Sequence, residues 1–169
     1  MGAMTRAIAA ALLLAAVPFG CTAVSTYPPT AGRTTFTPNV TPGPELMSGS
    51  LREAHRIASA STPGIELVYN LPAGLGAGTW RRVESSLPAQ SRPMKAGDTG
   101  VFSVQQLRLS GGSAEVDVLA PENGVYQLMT MRFEGGAVGG WRLRSSYRWM
   151  IPTTPPVANT PAELVEAAE

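Results

Sequence analysis

Two short turns, Gly111-Gly112 and Asn123-Gly124, constrain the fold of this chain more than any other feature. A two-residue hairpin loop needs residues that accept positive φ, and its length fixes the register of the strands on either side. The first turn then puts Arg108 opposite Glu115, Leu107 opposite Val116 and Leu109 opposite Ala114. The second puts Glu115 opposite Arg132, Val116 opposite Met131 and Val118 opposite Met129. A slip of one residue would turn every side chain to the other face. Both turns nevertheless agree on one apolar face, and both place Glu115 between Arg108 and Arg132.

The alternation continues to the end of the last strand. Trp141, Leu143, Tyr147 and Trp149 point one way, and Arg142, Arg144, Ser146 and Arg148 the other. The expected core face therefore holds Leu107, Leu109, Val116, Val118, Met129, Met131, Phe133, Trp141, Leu143, Tyr147 and Trp149. The opposite face is expected to carry Arg108, Arg132, Arg142, Arg144 and Arg148 against Glu115 and Asp117, beside Phe102, Val104, Leu119, Tyr126 and Leu128. Five cations against two carboxylates suggest a binding face for a protein partner, an anionic envelope polymer or lipid headgroups. The alternative is a solvated face of ion pairs.

Upstream, Ser50-Leu51-Arg52-Glu53 is a capping box and predicts a helix from Leu51, with Leu51, Ala54, Ile57 and Ala58 on one stripe. Thr62-Pro63-Gly64 ends it. Ile65 to Leu71 alternates as a strand, and Trp80, Val83 and Leu87 have helical spacing. The expected fold is α+β: an antiparallel meander of four to five strands with two short helices packed on one face. In architecture it is similar to cystatin-like and nuclear-transport-factor-like folds. The domain boundaries follow composition: residues 48–151 form the domain, and 21–47 read as a Pro/Thr-rich linker. Residues 152–169 read as a Pro-rich tail with a short terminal helix capped by Thr160 and Glu163.

The N-terminus supplies an address. Arg6 precedes eleven apolar residues, Ala7 to Val17, then Pro18, Phe19, Gly20 and Cys21, the only cysteine. A basic start, a short apolar core and a small residue before the cut describe an export signal, and the run is too short to span a bilayer. Val17-Pro18-Phe19-Gly20-Cys21 resembles the lipobox of bacterial membrane lipoproteins. The resemblance implies cleavage between Gly20 and Cys21, with lipid on the Cys21 thiol and often acylation, such as palmitate, of the new N-terminus. Ordinary cleavage after Ala23, giving a secreted soluble protein, is the alternative.

The candidate chemistry is sparse. Without Arg6 the chain has equal numbers of basic and acidic side chains, which disfavours nucleic-acid binding. Asp98-Thr99-Gly100 spells an aspartic-protease triplet, but it stands alone and reads as a turn before a strand. Gly74, Gly76 and Gly78 lack the spacing of a phosphate loop; Arg81 and Arg82 would be the partners of any anion there. His55 is the only histidine, so neither a metal site nor a nucleophile–base pair can be assembled around it. The expectation is a lipid-anchored, non-enzymatic cell-envelope protein, without metal or cofactor, whose small domain binds or assembles with a partner. The alternative is a ligand-binding module whose pocket is lined by Trp80, Trp141 and Tyr147.

Overall fold

The computed structural model describes residues 23–136 and 139–161. The signal segment, Cys21 and the expected terminal helix lie outside them. Among the described residues the domain is α+β, with two helices on one eight-stranded sheet. In chain order the elements are β1 (Ser25–Tyr27), β2 (Thr34–Thr35), α1 (Gly43–Ser61), β3 (Val68–Asn70), α2 (Ala77–Glu84), β4 (Arg92–Pro93), β5 (Val101–Ser110), β6 (Ser113–Glu122), β7 (Val125–Gly136) and β8 (Gly140–Thr153).

The long meander β5-β6-β7-β8 follows the register that the turns dictate. Arg108 faces Glu115, Leu107 faces Val116 and Leu109 faces Ala114 across the first hairpin. Glu115 faces Arg132, Val116 faces Met131 and Val118 faces Met129 across the second. Asn123 and Gly124 both have positive φ, at 50° and 81°, as a tight turn of this kind requires.

The supposed linker is part of the fold. β1 adds antiparallel to the end of β5, with Ser25 opposite Leu109 and Tyr27 opposite Leu107. β2 then pairs in parallel with β1. Helix α1 starts at Gly43, seven residues before the capping box. Pro44 suits the first helical turn, and Leu46 and Met47 extend the apolar stripe through Leu51, Ala54 and Ala58, all buried. Ser50 is not a cap; its hydroxyl donates to the Leu46 carbonyl at 2.7 Å inside the helix. The domain therefore begins at the first described residues rather than at Ser48.

The tail is also fixed. β8 runs to Thr153, and residues beyond it return to β3 on the sheet face opposite the helices. Asn70 holds them: its amide nitrogen donates to the Val157 carbonyl at 2.8 Å, and its oxygen accepts the Asn159 N–H at 3.1 Å. Thr160 donates to the Met94 carbonyl, and Ala158 packs on Val68, Met94 and Val101.

The main core lies between the sheet and the helices. Trp80 and Val83 of α2 and Leu46, Met47 and Leu51 of α1 meet Tyr69, Leu107, Val116, Val118 and Met131 from the sheet. The strand expected over residues 65–71 is regular only at Val68–Asn70, yet its alternation holds: Leu67, Tyr69 and Leu71 enter this core while Val68 faces the other side.

Candidate functional site

Three irregularities redistribute the side chains of the meander, and they define the site. In β5, Val104 faces Val118 while Gln106 faces Asp117, so Gln105 is an extra residue. This bulge turns Phe102 and Val104 into the main core instead of the outer face. Between β7 and β8, Arg132 faces Ser145 but Phe133 faces Leu143, leaving Arg144 as the extra residue. Beyond it the phase of β8 inverts. Tyr147 and Trp149 come to the outer face opposite Thr130 and Leu128, and are not core. Arg148 leaves the outer face for the helix-bearing one, where it pairs with Glu122 at 2.8 Å. Finally, Gln127 faces Pro152 while Leu128 faces Trp149, so Met150 and Ile151 loop out of register.

The result is an apolar strip on a free edge. β8 ends the sheet path, so its outer backbone edge has no strand beside it among the described residues. Along that edge Tyr147 is 53% exposed, Trp149 50%, Met150 81% and Ile151 64%. Large apolar side chains clustered on an open strand edge mark an interaction site or an aggregation hazard. Next to them a groove of about 690 Å³ is lined by Ile65, Pro121, Tyr126, Pro152 and Pro155.

The exposed tryptophan is not loose. Trp149 Nε1 donates to Thr130 Oγ1 at 3.0 Å, and Thr130 in turn donates to Asp117 at 2.7 Å. Arg108 clasps the same Asp117 with two guanidinium nitrogens and reaches Glu115, which also accepts from Arg132 at 2.6 Å. This chain of bonds crosses four strands and pins the indole against the sheet. The arginine face is thus largely neutralised. Arg108 and Arg132 serve the network and Arg144 pairs with Glu134. Of the five arginines expected there, only Arg142 has no acidic partner among the described residues.

Hydrogen bonding from Arg132 holds the Glu115 carboxyl below the usual carboxylate range; burial opposes it, and the hydrogen bond from Arg108 adds to the lowering. A depressed folded-state value gives stability that is present above the ordinary value of 4.5 and is lost as pH falls through the depressed one. Glu115→Gln should therefore lower stability at neutral pH by roughly 0.5–1 kcal/mol, the range for partly exposed pairs. Urea midpoints of the two proteins should converge as pH falls through the depressed Glu115 value, where the carboxyl is protonated and both side chains are uncharged. A gap unchanged at low pH would rule out the ion pairs as its source.

The remaining candidates have structural roles. Asp98 accepts two hydrogen bonds from Arg92 and one from the Lys95 N–H, which tie down the turn before β5. His55 Nε2 lies 2.8 Å from the Ile65 carbonyl, and its ring meets Phe102 edge-on. The glycine loop is held by Tyr27, whose hydroxyl donates to the Ala73 carbonyl; Arg82 bonds the Asn39 carbonyl. Trp80, Trp141 and Tyr147 do not line one pocket: Trp80 is fully buried, Trp141 borders the helix side and Tyr147 is on the opposite face. No group of three or more potential metal ligands occurs among the described residues, and no helix among them is long and apolar enough to cross a membrane. No protein family, curated protein or solved structure matches this chain.

Proposed function

We propose that this is an exported cell-envelope protein, lipid-anchored through Cys21, whose domain performs no catalysis and binds a protein partner along the free edge of β8. The observation that carries the binding reading is the strip Tyr147, Trp149, Met150 and Ile151 on an unpaired strand edge. An added strand would satisfy the open backbone groups, while the apolar side chains supply the area that stabilises the contact. Trp149 is already oriented by Thr130, so little side-chain freedom is lost on docking. Rigid, central aromatic residues of this kind dominate binding energies. The anchored reading rests on the sequence around Cys21. The architectural likeness to cystatin-like and nuclear-transport-factor-like folds belongs to the same proposal and carries no function by itself.

A photo-crosslinking amino acid placed at Met150 or Ile151 in cells tests this. The expected result is a discrete adduct with one protein, mapped to one extended segment, and no such adduct from Thr35 in β2, at the opposite end of the sheet path from β8. An adduct between two copies of this chain would identify the partner as itself. Equal labelling at all three positions, or none at Met150 and Ile151, would contradict the reading.

A further inference from the structure

We infer that the end of the sheet carrying the β5–β6 and β7–β8 turns faces the bilayer and receives the phosphates of anionic phospholipid headgroups. The inference rests on the proposal that Cys21 carries lipid. Only Thr22 and Ala23 lie between Cys21 and Val24. Val24 is fixed, because its carbonyl accepts the Thr34 hydroxyl and β1 begins at the next residue. Three residue steps reach at most about 10 Å, so a lipid on Cys21 holds Val24 close to the membrane surface. The long tether expected from composition does not exist, because those residues are spent on β1, β2 and the start of α1.

Val24 borders a groove of about 340 Å³ whose charged lining is Arg33, Arg108, Arg132 and Glu115. Glu115 and Asp117 engage Arg108 and Arg132, so the excess of positive charge there comes from Arg33. Arg33 has no acidic partner among the described residues, and neither does Arg142, five strands along the sheet path at the same end. The chemistry matches phosphate, which guanidinium groups bind in a forked geometry. The distance matches too, since about 10 Å is comparable to the screening length at physiological salt. The three glutamates of the last seven residues lie beyond Pro161, so the body of the domain is cationic although the whole mature chain is neutral. In this orientation β8 runs away from the membrane. Arg142 lies opposite Glu134 and Pro152 opposite Gln127, seven ladder steps or about 23 Å apart at strand rise, which puts the proposed partner edge in open solvent.

Two of the three tryptophans report the orientation directly. The full-length protein is purified from membranes and reconstituted into vesicles of phosphatidylcholine with phosphatidylglycerol, containing a lipid with a nitroxide on its headgroup. Flotation with the vesicles comes first; a protein that does not float has no anchor, which overturns the anchored reading and this inference with it. For protein that floats, Trp149→Phe should keep the headgroup quenching, because Trp141 remains near the membrane end. Trp141→Phe should lose it, because Trp149 is distant and Trp80 is buried. Arg33→Glu with Arg142→Glu should lower the quenching of Trp141, because each basic side chain at an anionic surface favours the docked orientation by a factor of roughly five. Floating protein in which Trp149 is quenched more than Trp141, or in which the two arginines make no difference, overturns the inference while leaving the anchor intact.

Discussion

Leu46→Ala should destabilise the domain by about 2–5 kcal/mol, the cost of removing a fully buried leucine from a packed core. Leu46 lies within a stretch whose prolines and threonines look like a linker, yet none of its surface is exposed. It sits in the first turns of α1 and packs in the main cluster with Trp80 and Leu107. Val40, six residues earlier, is 58% exposed. Val40→Ala should accordingly change stability by no more than about 0.5 kcal/mol. Denaturant midpoints of the two variants provide the comparison. Similar small effects from both would mean that residues 43–47 are not part of the folded body.

Cys21→Ala should move the protein from the membrane fraction to the soluble envelope fraction or the medium. Each buried methylene of an acyl chain contributes about 0.8 kcal/mol, so two or three chains hold a protein almost irreversibly. Without them only the arginine contacts remain, at about 1 kcal/mol each and screened by salt. Fractionation at moderate salt reads the difference. Membrane retention of the alanine variant, undiminished at high salt, would mean that something other than Cys21 holds it.

Turn chemistry made the meander legible. Asn123-Gly124 and Gly111-Gly112 fix pairings that no propensity scale supplies, and every pair expected from them is present. The periodicity of Leu67, Tyr69 and Leu71 and of Trp80 and Val83 was equally sufficient for their burial. What could not be read were the extra residues. Gln105 and Arg144 carry no glycine or proline to mark a bulge, and each inverts the alternation beyond it. Phe102 and Val104 consequently moved inward, Tyr147 and Trp149 outward, and Arg148 to the other face. The strip on β8 was invisible for the same reason, since an unbroken alternation makes those aromatics look like core. The turns make Arg108, Glu115 and Arg132 legible as neighbours, whereas the pairing of Arg144 with Glu134 and of Arg148 with Glu122 depends on the extra residue in β8 and has no signal in the alternation. The first turns of α1 were missed because Pro42 and Pro44 resemble linker composition, although proline is well suited to a helix start.

The intact mass of the mature protein, extracted from the envelope with detergent, tests the central claim most directly. A chain that starts at residue 21 and carries the added mass of a diacylglyceryl group is the predicted result. A polypeptide starting at Val24, or one that retains residues 1–20, would contradict it.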